Sequence, residues 1–202
     1  EAGESALTFR TLAQRLGGGV GSIYWYIASK DELLDRASDR MLADVLDDTE
    51  QFTGDDDPID NMRGIALALF DCVVERPWLA AYFMRNAANQ PNCVRLYERM
   101  GQQALRLKLN PLQTFYAVSA VTGFVVGAAT DLGQQAPAEV ADGEADRAAY
   151  LAGVADLWRS LDPGEFPYLH TILDEFALHD DGEQFRAGLD LLLAGLRLQT
   201  DR

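Results

Sequence analysis

With 202 residues and 48% hydrophobic side chains, the chain is long enough to bury a sizeable core. Aromatics at 9% and interspersed charge exclude intrinsic disorder despite a net charge of -15. Cys72 and Cys93 lie 21 residues apart in apolar stretches, which excludes a disulfide framework or a paired zinc-site spacing and leaves two buried thiols.

Apolar residues recur at three- and four-residue spacing almost throughout, and no stretch alternates with period two, so the fold class is all-α. Thr8 is a good N-cap for a first helix that carries Leu12, Ala13 and Leu16 and stops at Gly17, Gly18 and Gly19. The apolar stretch 22–27 is too short to be stable alone and must pack on its neighbours. Ser29 and Glu32 form a Ser-x-x-Glu capping box, each side chain expected to accept from the other's backbone amide. Leu33, Leu34, Ala37, Met41, Val45 and Leu46 then give the third helix one apolar face to about residue 47.

Gly54, three aspartates and Pro58 disfavour continuing a helix and mark the best linker. Beyond it the pattern predicts helices at roughly 58–75, 78–86, 92–108, 111–132, 145–161, 168–179 and 182–198. Pro77, Pro91, Pro111, Pro163 and Pro167 sit at starts or in loops, where a missing amide costs little. The longest apolar run, 115–130, falls short of the ~20 residues a bilayer needs and carries Ser119, Thr122 and two glycines, so a buried helix and no membrane partner are expected. No signal-peptide pattern opens the chain, which predicts a cytoplasmic location.

Two short helices joined by a glycine turn make a helix-turn-helix candidate, whose second helix can enter the major groove. Phosphate contact needs cations, and the overall acidity argues against it until charge is counted by segment. Residues 1–30 hold Arg10, Arg15 and Lys30 against Glu1 and Glu4, a net of +1, whereas the remainder holds 14 basic and 30 acidic groups, a net of -16. Tyr24, Trp25 and Tyr26 follow one another on a helix whose neighbours point about 100° apart, so at least one must be exposed.

The run Leu7, Thr8, Phe9, Arg10, Thr11, Leu12, Ala13, with the Leu16-Gly17 turn, Ile23 to Tyr26 and Lys30 to Leu34, resembles the head of TetR-type repressors. The stretch from Gln184 to Leu196 is similar to the last helix of tetracycline-repressor-like C-terminal domains. The resemblance implies a DNA-binding domain over 1–47, its N-terminal helix expected to be missing, and a ligand-binding and dimerisation domain over 48–202. It also implies that Thr8 and Arg10 anchor the bracing helix, that Val20, Gly21, Ser22, Trp25 and Tyr26 face the groove, and that Tyr24 and Lys30 hold the phosphate backbone. Gly18, Gly19 and Gly21 depart from the family by leaving base-reading positions bare.

In the body, Ala120, Gly123 and Gly127 place small residues on one helical face beside Phe115, Val118 and Val126. With Phe185, Leu189, Leu192, Leu193 and Leu196 this resembles the family's four-helix dimer interface, implying self-association through helices 111–132 and 182–198. Tyr82, Asn86, Met100, Gln103, Tyr116, Thr122 and His170 are polar or adaptable groups in apolar helices, the mixture a small-molecule cavity needs. His170 with Asp174 and Glu175 with His179 are spaced four apart, but one histidine and one carboxylate per face predict ion pairing rather than a metal site. Neither a triad pattern nor a phosphate-binding loop appears, so no cofactor and no enzyme are expected. The expected partners are operator DNA, an apolar or amphipathic effector and a second copy of the chain. The competing reading is an all-α enzyme or small-molecule carrier without DNA binding.

Overall fold

A computed structural model describes residues 7–54, 56–76, 78–83, 89–133 and 147–200, and every regular element among them is helical. In chain order these are α1 (Phe9–Leu16), α2 (Val20–Tyr24), α3 (Lys30–Asp48), a 3-10 turn (Glu50–Thr53), α4 (Pro58–Glu75), α5 (Trp78–Phe83) and α6 (Pro91–Arg106). They continue with α7 (Pro111–Gly133), α8 (Arg147–Arg159), α9 (Pro167–Leu178) and α10 (Asp181–Thr200). The all-α class is therefore the observed one.

The helix starts obey local chemistry. Asp57 caps α4 by accepting from the amides of Ile59 (2.8 Å) and Asp60 (3.3 Å), with Pro58 at the first position, where its missing N–H has no helical partner to lose. At α3 the capping box is only half as expected. Ser29 Oγ accepts from the Glu32 amide at 3.1 Å, but Glu32 reaches one residue further back and accepts from Ala28 N–H at 2.7 Å. Its other oxygen meets Arg36 at 2.7 Å, and these contacts hold the Glu32 carboxyl below its ordinary value, the Ala28 amide being the larger cause. The second helix starts at Val20, ahead of the apolar stretch, and ends at Tyr24, where the Tyr26 and Ile27 amides both turn to the Ile23 carbonyl and close it.

Two compact units result: residues 1–133 with 189–202, and residues 134–188. The core of the first gathers Leu42, Val45 and Leu46 from α3, Ile59, Met62, Ile65, Ala66 and Leu69 from α4, Leu96, Met100 and Ala104 from α6, and Val118, Val121 and Val125 from α7. The C-terminal part of α10 is tied to α4 by ion pairs, Arg63 with Asp190 at 2.6 Å and Arg197 with Asp57 at 2.8 Å. By length and composition α7 does reach membrane-spanning size over Pro111–Asp131, because the helix continues past both ends of the run read from sequence. Its inner face, however, carries Ala117, Val118, Val121, Val125 and Ala129 into the core, while Leu112, Phe115, Tyr116, Ala120, Gly123 and Gly127 form an exposed stripe.

In the second unit α8 packs on α9. Trp158 and Phe176 lie 4.3 Å apart between ring centroids, and the His170 ring nitrogen Nε2 meets the Leu161 carbonyl at 2.9 Å. His179 sits between the Phe176 carbonyl (2.7 Å) and Asp181 (3.1 Å). Among the described residues no group of three or more metal-type ligands converges.

Candidate nucleic-acid interface

The first 24 described residues, 7–30, contain no carboxylate and three cations, Arg10, Arg15 and Lys30. Helix α1 is held at its start by a reciprocal pair that the sequence reading missed. Thr8 Oγ1 accepts from the Thr11 amide at 3.1 Å, and Thr11 Oγ1 accepts from the Thr8 amide at 3.0 Å. A threonine at the third helical position was the available signal, although the usual box carries Glu or Gln there.

The helix ends in a left-handed Gly17 (φ 69°), with Gly17 N–H on the Gln14 carbonyl and Gly18 N–H on the Ala13 carbonyl. This pairing of the last carbonyls needs a residue without a Cβ at its turning point. The chain then reverses into α2, where Ile23 is buried against the head and Ser22 Oγ donates to the Gly19 carbonyl at 2.5 Å.

With Ile23 inward, the three aromatics that follow all point out. Tyr24, Trp25 and Tyr26 are 59%, 86% and 75% exposed, so all three and not only one lie outside the core. Burying large apolar area stabilises by roughly 25 cal/mol per Å², so three adjacent exposed rings are area that a partner could still cover. Phe9 from α1 stands edge-on to the Tyr24 ring, centroids 4.9 Å apart at 80°, and so aims the phenol. Thr8, Arg10, Gly21 and Ser22 are exposed as well, while Val20 and Lys30 are half-buried. The expected groove-facing set is thus brought onto one small head, with bare glycines at its leading turn and aromatic bulk behind.

The expected cavity residues are more dispersed. Tyr82, Met100 and Gln103 are buried, Thr122 is half-buried and Tyr116 is exposed; His170 lies in the second unit, and Asn86 lies outside the described residues. Gln103 already has partners, accepting from Asn61 Nδ2 at 3.0 Å and Arg106 Nη1 at 2.7 Å. A cleft of about 570 Å³ opens elsewhere, between the start of α3 and the start of α6, lined by Glu32, Asp35, Arg36, Asp39, Gln90 and Pro91.

Comparison with known proteins bears on both halves. Residues 1–37 match the family model for bacterial regulatory proteins of the tetR family, and residues 52–200 match that for the tetracyclin repressor-like C-terminal domain. The HTH-type transcriptional repressor DrrR1 of Streptomyces coeruleorubidus is 28% identical over 97% of this chain and 72% of its own length. The transcriptional regulator SCO7222, a TetR from Streptomyces coelicolor, superposes with a TM-score of 0.75 at 35% identity, covering 96% of this chain and 88% of that one. ActR of Streptomyces coelicolor, solved in complex with actinorhodin, shares the fold with a TM-score of 0.78 at 24% identity, over 100% of this chain and 91% of its own.

Proposed function

The chain belongs to the TetR family of bacterial transcriptional regulators, and from that premise we propose that it is a ligand-responsive repressor binding operator DNA as a homodimer. It is a regulator and not an enzyme. The observation that carries the DNA reading is the acid-free segment 7–30 with three exposed aromatics in succession. Arg10 on α1, Thr8 at its cap, Tyr24 at the end of α2 and Lys30 at the start of α3 supply the donors that position a head on phosphates. Val20, Gly21, Ser22, Trp25 and Tyr26 meet the base edges and the groove wall. The head comprises residues 1–47 and the ligand-binding and dimerisation part residues 48–202, the whole acting in the cytoplasm.

On α10 the expected interface residues Phe185, Leu189, Leu193 and Leu196 are instead buried within the chain, so support for self-association through these two helices comes from the exposed stripe on α7 and from exposed Leu191 and Leu198 on α10. An isologous pairing presents two heads to successive major grooves about 34 Å apart. The effector, an apolar or amphipathic small molecule, binds the body among residues such as Tyr82, Met100, Thr122 and Tyr116. It acts by shifting α3 and with it the separation of the heads, which requires different affinity for the two dimer geometries. The excess of acidic groups beyond residue 30 keeps DNA contact to the segment 7–30.

The test is a binding series on DNA upstream of the chain's own gene and on fragments enriched by in vitro selection. Affinity that falls steeply with salt and is lost in Arg10→Ala and Tyr24→Ala supports the reading. No enrichment of any fragment, or unchanged affinity in both variants, leaves the carrier reading in its place.

A further inference from the structure

Helices α1 and α2 pack on each other, and α3 packs on α4, α5 and α6 of the body. The seam between α3 and α6 is built in an unusual way, because each helix supplies the terminal cap of the other. Asp39, midway along α3, accepts with Oδ1 from the backbone amides of Asn92 (2.8 Å) and Cys93 (3.2 Å), the first turn of α6. Asn92 Nδ2 returns the contact, donating to the Asp39 carbonyl and to Oδ2, each at 3.0 Å. At the other end Arg99 Nη1, from α6, donates to the Leu46 carbonyl and, at 2.7 Å, to Thr49 Oγ1, closing the C-terminus of α3. A carboxylate thus faces one helix N-terminus and a guanidinium the other's C-terminus, the favourable sign in both cases.

The register is the informative part. Asp39 meets Asn92 and Leu46 meets Arg99 at the same separation of 53 residues, so the helices run parallel without slip. At 1.5 Å of rise per residue the two caps sit about 10 Å apart along both axes. Sliding or swivelling one helix against the other breaks at least one cap and strands amides or carbonyls at a packed helix end. Neither Asp39 nor Arg99 belongs to the set that faces DNA.

We infer that α3 and α6 move as one rigid body, and that Asp39 and Arg99 are positioning residues that set the pose of each head and hence the spacing of the two recognition helices on the operator. The inference rests on the dimeric operator-binding reading given above. A dimer gains over a single head only when both heads reach their half-sites together, and that gain disappears when the geometry forbids it. Loss of a cap therefore weakens the dimer's grip on the complete operator without touching the head's own contacts.

The experiment uses the full chain, the operator fragment recovered by selection, a single half-site from it, and versions with one and two base pairs inserted between the half-sites. For Asp39→Ala and Arg99→Gln, affinity for the complete operator is expected to fall about tenfold or more, while half-site affinity stays within about twofold and the inserted operators lose their penalty. Asp39→Asn, whose amide oxygen still caps α6, is expected to keep the wild-type spacing preference, and circular dichroism melts identify any variant lost to misfolding. Equal losses on half-site and full operator, or unchanged spacing preference in the folded variants, overturn the inference and leave the repressor reading standing. Failure of the wild-type chain to bind any fragment overturns both.

Discussion

Replacing Gln103 by leucine separates a structural role from a ligand-lining one. Gln103 and Asn61 are each 2% exposed, and the Gln103 carbonyl oxygen accepts from both Asn61 Nδ2 and Arg106 Nη1. The arginine loses little, since it is exposed and keeps the Gly54 and Asp56 carbonyls at 2.9 and 2.6 Å. The Asn61 amide has no such alternative among its described contacts, and a buried donor left without an acceptor costs about 1–3 kcal/mol. Gln103→Leu should therefore destabilise by about 2 kcal/mol, which at a urea slope near 2 kcal/mol/M moves the midpoint down by about 1 M at fixed protein concentration. Adding Asn61→Leu removes the orphaned group, so the double variant should recover part of the loss, with a coupling energy of about 1–2 kcal/mol. Strict additivity of the two variants, or a Gln103→Leu midpoint indistinguishable from wild type, would refute the reasoning.

Gly64 on α4 faces the ring of Phe52, and a Cβ there would lie 2.4 Å from it. Gly64→Ala should cost about 1–3 kcal/mol by thermal or urea unfolding, and Phe52→Leu in the same chain should relieve much of it. The carboxyls of Asp57 and Asp190 are held below the ordinary carboxylate value, Asp57 by Arg197 and Asp190 by Arg63. Their contribution is fully present above the unfolded value near pH 4 and is lost as pH falls through the lower folded value. Asp57→Asn with Asp190→Asn should accordingly flatten the acid limb of a stability profile while changing its slope little at neutral pH. Burial raises the thiol of Cys93 to about 11 and that of Cys72 in the same direction. At pH 8 both should label with a thiol reagent only as fast as the protein opens, and become immediately reactive in denaturant.

The legibility of this protein from sequence follows the range of the forces involved. Local signals declared themselves: the caps at Thr8 and Ser29, the glycine stop at Gly17, the prolines at helix starts and the three-four apolar spacing. Each depends on atoms within about four residues along the chain. The surface of the head was legible for the same reason, because three consecutive aromatics on a short helix cannot all be inward. The half-formed capping box was not, since whether Glu32 reaches Ser29 or Ala28 depends on the turn that precedes the helix and on Arg36 behind it.

What only the tertiary structure decided lies at longer separation. The sequence shows Gln103 as a polar group in an apolar helix, suited to a cavity; that it meets Asn61, 42 residues away, is a fact of packing. The reciprocal capping of α3 and α6 joins residues 50 to 54 apart. Nothing in the sequence singles out Asp39 or Arg99, because no periodicity records which helix end a charge will meet. The class and the local build of the head were thus determined by the chain's own local order. Which helix holds which in place was determined by how the apolar faces close upon one another, and that closure brings the polar caps within reach.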